Sequence, residues 1–340
     1  MKESHKKKRV KRYKRIKRLF FTLIAFLVLL VIGGVFLFFH ILKINSYELN
    51  HDKLYMNTVN DSNMDHYQNI AIFGVDSQEN DLEHNTRTDC IIIASINKRT
   101  KDVSLVSIYR DTYVYREDNG YGKINAAYAY GGPELAISTI NQNFDLNVTD
   151  FVTVNFSALT NIIDALDGVE IDIQSDELKE VNKYTNSINK INGTNSPGLT
   201  KAGLQTLNGT QATAYCRVRY TSGNDYRRTE RQRTVLYAIF DKVKSSNPFT
   251  LYQVANEILP QIYTSLSSSD ILSMGLSALF YNVKQDTGFP FDQTNGSRNG
   301  ASVILPTTLS SNVTKLHEYL FGTENYIPSD MVQAITNKIG

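Results

Sequence analysis

Histidine is scarce, and it is missing where it would matter most. None of the six in 340 residues (His5, His40, His51, His66, His84, His317) falls within the charged motifs described below. That disfavours a His-ligated zinc centre and a His-based catalytic triad. No G-x-S-x-G elbow marks a hydrolase nucleophile, and no G-x-x-x-x-G-K-[ST] loop marks a nucleotide phosphate cradle. The only two cysteines, Cys90 and Cys216, lie in apolar stretches, as a disulfide pair or as two buried thiols. There is no Pro- or Ser-rich linker, internal repeat or low-complexity block. The roughly 270 residues after position 66 therefore read as one large core or two small ones.

Charge is distributed just as unevenly. Residues 1–18 hold eleven of the 36 Lys and Arg and a single acid, Glu3, leaving 25 basic against 33 acidic residues in the rest of the chain. The formal charge of +2 thus conceals a basic tail on an acidic body, and nucleic acid is not expected as that body's partner. Residues 19–39 carry no charge and are apolar apart from Thr22, Gly33 and Gly34. About 20 such residues match the span a helix needs to cross hydrocarbon. A cleaved signal peptide would have an apolar core of about 7–15 residues and a small-residue cleavage site, whereas His40-Ile41-Leu42-Lys43-Ile44 is bulky. The positive-inside rule then gives a single-pass cell-membrane protein. Its expected parts are a basic cytoplasmic tail over 1–18, a transmembrane helix over 19–42, a polar juxtamembrane spacer over 43–66 and an extracellular domain over 67–340.

Strands are expected over 69–76, 90–96 and 103–109, the last two joined as a hairpin by the polar segment 97–102. Pro133, after Gly131-Gly132, suits the first turn of a helix. Residues 151–155 read as a strand. Phe156, Leu159, Ile162, Ile163 and Leu166 recur at helical spacing, and 169–173 is extended again. Residues 183–200 are Asn-rich and poor in apolar side chains, and read as a surface loop. Asn208-Gly209 opens a short helix ending near Arg217, and Asn224 or Asp225 caps a longer one through Lys244. The last hundred residues read as helices, one strand over 301–306 and a terminal helix. This alternation predicts a layered α/β (α+β) fold.

What the chain does have is arginine in one short region: Arg217-Val218-Arg219, Arg227-Arg228 and Arg231-Gln232-Arg233. Planar guanidinium forks suit phosphate best. Arg227 and Arg228 fall in a first helical turn, where the macrodipole makes a cation cost roughly 0.3–1 kcal/mol. A bound anion would reverse that sign; a solvated basic turn balanced by Asp225 and Glu230 is the plainer alternative. Arg228 and Gln232 share one helical face. In an extended segment Arg217 and Arg219 point the same way, as a pair of surface arginines also would. Arg110-Asp111 closes a strand, where binding groups are displayed and where a simple ion pair is the competing explanation. Asp76 and Asp89 stand at strand ends and could together hold a hard divalent cation against phosphate oxygens; each alone is more often a turn or cap residue.

These pieces have an order. Phe73-Gly74-Val75-Asp76, Arg87-Thr88-Asp89, the run from Val103 to Thr112, Lys123-Ile124-Asn125-Ala126-Ala127-Tyr128 and Gly131-Gly132-Pro133 come first. Val154-Asn155-Phe156, Asp167-Gly168-Val169, Leu207-Asn208-Gly209, Arg217-Val218-Arg219 and Asp225 through Gln232 follow. Over roughly residues 68–245 they resemble the LytR–CpsA–Psr family of bacterial cell-wall enzymes. The basic tail and single anchor are similar to the family's layout. Two departures stand out: Tyr109 where the family often has Pro, and Ser77-Gln78 after Asp76 where an Arg often comes soon after.

The resemblance implies a central mixed β-sheet flanked by helices, with a hydrophobic groove for lipid and a charged mouth for pyrophosphate. It implies a phosphotransferase that moves a glycopolymer (wall teichoic acid, capsule or a related polysaccharide) from undecaprenyl diphosphate to peptidoglycan. On this reading Asp76 and Asp89 hold Mg²⁺, with Mn²⁺ as the alternative ion. Arg87, Arg110, Arg217, Arg219, Arg228 and Gln232 bind the pyrophosphate. Arg110, Asp111, Arg217, Arg219 and Asp225 form the catalytic set, with Asp111 or Asp225 as base. Apolar helices over 156–166 and 235–240 would line the lipid slot or serve as ordinary core. The implied partners are the lipid-linked glycan, the peptidoglycan acceptor and the cell membrane; no motif specifies an oligomeric state. The rival readings are a lipid-pyrophosphate hydrolase, a membrane-bound regulator of envelope genes, and a surface protein that binds wall polymer without turnover. A tail of 18 residues with no helix-turn-helix leaves little for DNA recognition.

Overall fold

The computed structural model describes residues 45–77, 82–83, 85–219 and 224–339. The tail and membrane helix expected over 1–42 lie outside these residues. Among the described residues no helix is long and apolar enough to cross a membrane. In chain order the strands are β1 (Asn45–Ser46), β2 (Tyr67–Val75), β3 (Thr88–Asn97), β4 (Asp102–Ile108), β5 (Tyr113–Arg116), β6 (Gly120–Lys123) and β7 (Asp150–Asn155). They continue with β8 (Val169–Ile173), β9 (Gly203–Leu207), β10 (Tyr263–Thr264), β11 (Asn282–Phe289), β12 (Gln293–Arg298) and β13 (Ala301–Pro306). The α-helices are α1 (Asn125–Phe144), α2 (Phe156–Ala165), α3 (Leu178–Asn192), α4 (Gly209–Arg217) and α5 (Asn224–Ser245), then α6 (Pro248–Ile258), α7 (Ser268–Ser277), α8 (Leu309–Phe321) and α9 (Asp330–Ile339).

A mixed seven-stranded sheet organises them, in the order β1-β10-β7-β2-β3-β4-β11. Strand β2 runs parallel to β7 and antiparallel to β3; β3 and β4 form the expected antiparallel hairpin, and β11 adds in parallel to β4. Alternation along the strands divides the core. Ala71, Phe73, Val75, Ile91, Ile93, Val106 and Ile108 face the cluster that includes α1, α8 and α9. Ile70, Ile92, Ala94, Val103 and Leu105 face the other way, against Leu236, Tyr237 and Phe240 of α5. A third cluster joins α2, α3, α4 and the antiparallel β8–β9 pair, and takes Val235 from the same helix. Helix α5 therefore wedges between two cores, and its N-terminal turns are held at the sheet edge.

Three sequence expectations need correction and one holds. Residues 45–66 are not a polar spacer: Leu49, Leu54 and Met64 are buried in the first core cluster, and Tyr47 N donates to Thr264 O at 2.8 Å. Most of 183–200 is not loop, because α3 runs to Asn192 and buries Val181, Thr185 and Ile188 on one face; a three-residue stripe among asparagines is enough once a neighbour covers it. Pro133 stands where expected: Gly131 and Gly132 are non-helical and kink α1, and Pro133 opens the helical stretch that follows them. The last hundred residues also contain β11 and β12, whose Gly, Gln and Asn content masks their extended state.

Leu54 is fully buried although it comes from the segment read as spacer. Leu54→Ala should cost about 2–5 kcal/mol, as for a core leucine, measured by chemical denaturation of the protein; a true spacer residue would change stability by less than about 0.5 kcal/mol.

Candidate functional site

Register brings the charged motifs together. Val75 pairs with both Asn155 and Thr88, and Ser107 pairs with Ile92, so the ends of β2, β4 and β7 and the start of β3 lie together at one end of the sheet. Gly74 pairs with Cys90 but Val75 with Thr88. Asp89 is thus the extra residue of a bulge, a device that re-aims a side chain out of the ladder. Gly74 has to be glycine here, since a Cβ on it would lie 2.8 Å from that of Cys90.

Asp89 is clamped from three directions. Arg110, just past β4, binds Oδ1 in a close ion pair. Arg219 Nη2 lies 3.2 Å from Oδ2, and Arg228 Nη1 of α5 lies 3.8 Å from it. Arg228 Nη2 also donates to the Asp89 carbonyl at 3.1 Å, and Gln232 Nε2 reaches it at 3.5 Å. Burial pushes the Asp89 carboxyl up, but Arg228, Arg110 and Arg219 outweigh it and hold the group below its ordinary value.

The motifs around it are scaffolding for these groups. Asn208 and Gln211 form a capping box at the start of α4, which ends at Arg217. Val218 is fully buried, so the arginines on either side project outward. Arg217 lies 4.0 Å from Asp76 Oδ2 and stacks on the Phe156 ring at 4.5 Å. Asn125 N and Ile124 N donate to the carbonyls of Arg110 and Thr112, and Lys123 Nζ pairs with Asp111 at 2.9 Å. Arg231 and Glu177 make a buried ion pair of 2.8 Å, and Arg231 also donates to the Val218 carbonyl.

A polar cavity of about 180 Å³ results, lined by Asp76, Asp89, Arg217, Arg219, Arg228 and Gln232 among others. Arg217 Nη1 and Gln232 Oε1 are buried there and meet no hydrogen-bond partner among the described residues. A second, narrow apolar cavity of about 90 Å³ lies between the sheet face (Ile72, Gly74, Ile92) and helices α2 and α5. The two share Asp89, Phe156, Cys216 and Gln232, so a charged chamber opens directly onto an apolar slot. Cys90 and Cys216 are free thiols on the slot wall; burial pushes Cys90 up to about 12 and raises Cys216 as well.

A model of the LytR_cpsA_psr family matches residues 38–316. The chain belongs to that family. It is 32% identical over 238 residues to the polyisoprenyl-teichoic acid–peptidoglycan teichoic acid transferase TagU of Enterococcus faecalis, covering 67% of this chain and 73% of that protein. It is 30% identical over 232 residues to the corresponding TagT of Bacillus subtilis, covering 66% and 68%. The structure of TagT bound to LIIa-WTA superposes with a TM-score of 0.60 at 26% identity, covering 78% of this chain and 95% of that one.

Of the residues this LytR_cpsA_psr chain offered from sequence, the cavity gathers Asp76, Asp89, Arg217, Arg219, Arg228 and Gln232, with Arg110 at its rim through Asp89. Arg87 is exposed just before β3 and lines neither cavity. Asp111 is held by Lys123 and also lies outside the lining. Asp225 is in the first turn of α5, and its side chain lies outside the described residues. Glu177, which also meets Arg227 at 3.7 Å, carries no signal in the sequence; it follows Asp176 between the strand expected over 169–173 and the loop expected over 183–200. Among the described residues no group of three or more His, Cys, Asp or Glu could hold a metal. Two carboxylates nonetheless suit Mg²⁺, which takes one or two and fills its shell with phosphate and water. Asp76 is 46% exposed and open to such an ion.

Two outcomes follow from these ion pairs. Glu177→Gln strands a buried guanidinium and should cost about 3–5 kcal/mol, read from the denaturation midpoint. Asp89 has a folded value below the unfolded 3.8. Its contribution is therefore present above that pH and is lost as pH falls through the folded value; in Asp89→Asn this acid-side loss should be absent from a pH series of midpoints.

Proposed function

We propose that this protein transfers a wall glycopolymer of the teichoic acid class from undecaprenyl diphosphate to peptidoglycan. The observation that carries this reading is the arginine-lined chamber opening onto an apolar slot through four shared residues. An amphiphile with a diphosphate head and a polyprenyl tail is complementary to both at once. The names of TagU and TagT support the reaction class, and the basic tail and apolar run over 1–42 would anchor the domain outside the membrane that holds the carrier.

The reaction is a substitution at phosphorus. The acceptor hydroxyl oxygen of a peptidoglycan sugar bonds to the glycan-bearing phosphorus, the bridging P–O bond breaks, and undecaprenyl phosphate leaves with that electron pair. Such transfer needs mainly alignment and charge stabilisation. Arg217 and Arg219 face the chamber, and Arg110 and Arg228 complete a preorganised set of donors for the equatorial and leaving oxygens. The acceptor proton would pass to Asp111, which pairs with Lys123, or to Asp225 in the first turn of α5. Asp76 and Asp89 would hold Mg²⁺ (or Mn²⁺), which when bound neutralises diphosphate charge.

Arg217→Ala and Arg219→Ala should each lower transfer from a lipid-linked donor to peptidoglycan by roughly 10²–10³-fold, as for loss of one preorganised donor. Wild-type rates in both variants would refute the assignment. Because the carboxylate pair alone is an incomplete shell, calorimetry should show Mg²⁺ binding strengthened at least tenfold by a polyprenyl diphosphate. Asp76→Asn should abolish that coupling.

A further inference from the structure

Helix α5 presents two opposite faces at the sheet edge. Arg228, Gln232, Val235 and Ile239 follow one another at helical spacing and face the two cavities. Tyr226 precedes Arg228 by two positions, roughly 200° around the helix, and heads the opposite stripe. There Arg233 Nε pairs with Asp286 of β11 at 3.2 Å. The Tyr226 ring meets the Tyr109 ring edge to face, with centroids 4.8 Å apart. Its hydroxyl reaches Asn295 of β12 at 3.5 Å. Tyr109 is itself positioned by the sheet: its N–H donates to the Phe289 carbonyl at 3.0 Å, and its ring lies across Gly288, where any Cβ would collide with it. Tyr109 immediately precedes Arg110, and it is one of the two positions at which this chain departs from the family pattern.

Given the transferase reading, in-line geometry decides what this pair faces. The slot runs along α5 from Gln232 toward Ile239, so a polyprenyl phosphate leaves that way and the attacking hydroxyl must approach the phosphorus from the N-terminal end of the helix, where Tyr226 stands. We propose that Tyr226, braced by Tyr109, is the stacking platform for the acceptor sugar and a determinant of acceptor choice. A half-buried aromatic face flanked by an amide and by the exposed Glu230 carboxylate is the combination that a pyranose ring with hydroxyls on its rim requires: an apolar face to stack on and polar groups beside it.

The test uses the full chain in detergent, with a polyprenyl-diphosphate-linked disaccharide as donor and uncrosslinked peptidoglycan strands as acceptor. Tyr226→Ala should raise the KM for acceptor by roughly three- to tenfold, the range of one aromatic contact, while donor affinity stays within twofold. Tyr226→Phe should restore the wild-type KM. Gly288→Ala, which displaces the Tyr109 ring without touching Tyr226, should raise acceptor KM in the same direction. An unchanged acceptor KM in folded Tyr226→Ala, or an equal loss of donor affinity, would overturn the platform. Failure of the wild-type protein to transfer at all would instead overturn the transferase reading.

Discussion

Everything at the charged edge of the sheet depends on the carboxylate of Asp89. Three guanidiniums brought within one ion-pair shell would repel one another, and none could be held near-buried without a counter-charge. Asp89 supplies it from a bulge, where its side chain leaves the ladder and points into the space between β4, α4 and α5. Its single negative charge does not balance the three. The excess of two positive charges matches a diphosphate diester, which carries two negative ones. On the proposed function the clamp would serve both as the structural solution without substrate and as a source of affinity for an anion.

The remaining arginines show the contrast. Arg231 is buried against Glu177, and Arg233 against Asp286; each points away from the chamber and fixes α5 to a neighbour. Through its bond to the Val218 carbonyl, Arg231 also sets the backbone between Arg217 and Arg219. One run of arginines therefore divides its labour by helical angle: some anchor the helix, and Arg228 uses the position so obtained. Spacing alone cannot separate these roles, because the deciding partner, Glu177, is 54 positions away in sequence from Arg231.

The parts of the fold legible from sequence were those governed by local chemistry. The β3–β4 hairpin follows from two apolar runs around a polar link. Helix α2 follows from apolar spacing and α4 from the Asn208 that opens it, and the structure shows that cap; the cap of α2 by Asn155 emerges only in the structure. Features that depend on distant neighbours were not legible. The burial of Leu54 needs α1 and the core above it; α3 needs neighbours to cover its single three-residue stripe. The bulge at Asp89 is a property of register between β2 and β3, and neither strand's composition signals it. Convergence of Asp76, Asp89 and the arginines was suggested only by their charge and by family order, whereas the slot beside them required the sheet.

Burial also bears on how the chamber would work. Arg228 is 2% exposed and Arg219 38%. A guanidinium already stripped of water and fixed by the Asp89 carbonyl has little solvent left to reorganise when charge develops nearby, which is the condition under which electrostatic stabilisation is largest. The more exposed Arg219 keeps the freedom to follow an entering phosphate. Phe156 under Arg217 extends the same logic to the threshold between chamber and slot: its ring supports a cation on one side and continues as apolar wall on the other. A head group and its hydrocarbon tail can therefore meet one continuous surface whose polarity changes over a single side chain, and that sharp change is what would hold the bond between them in register with the arginines.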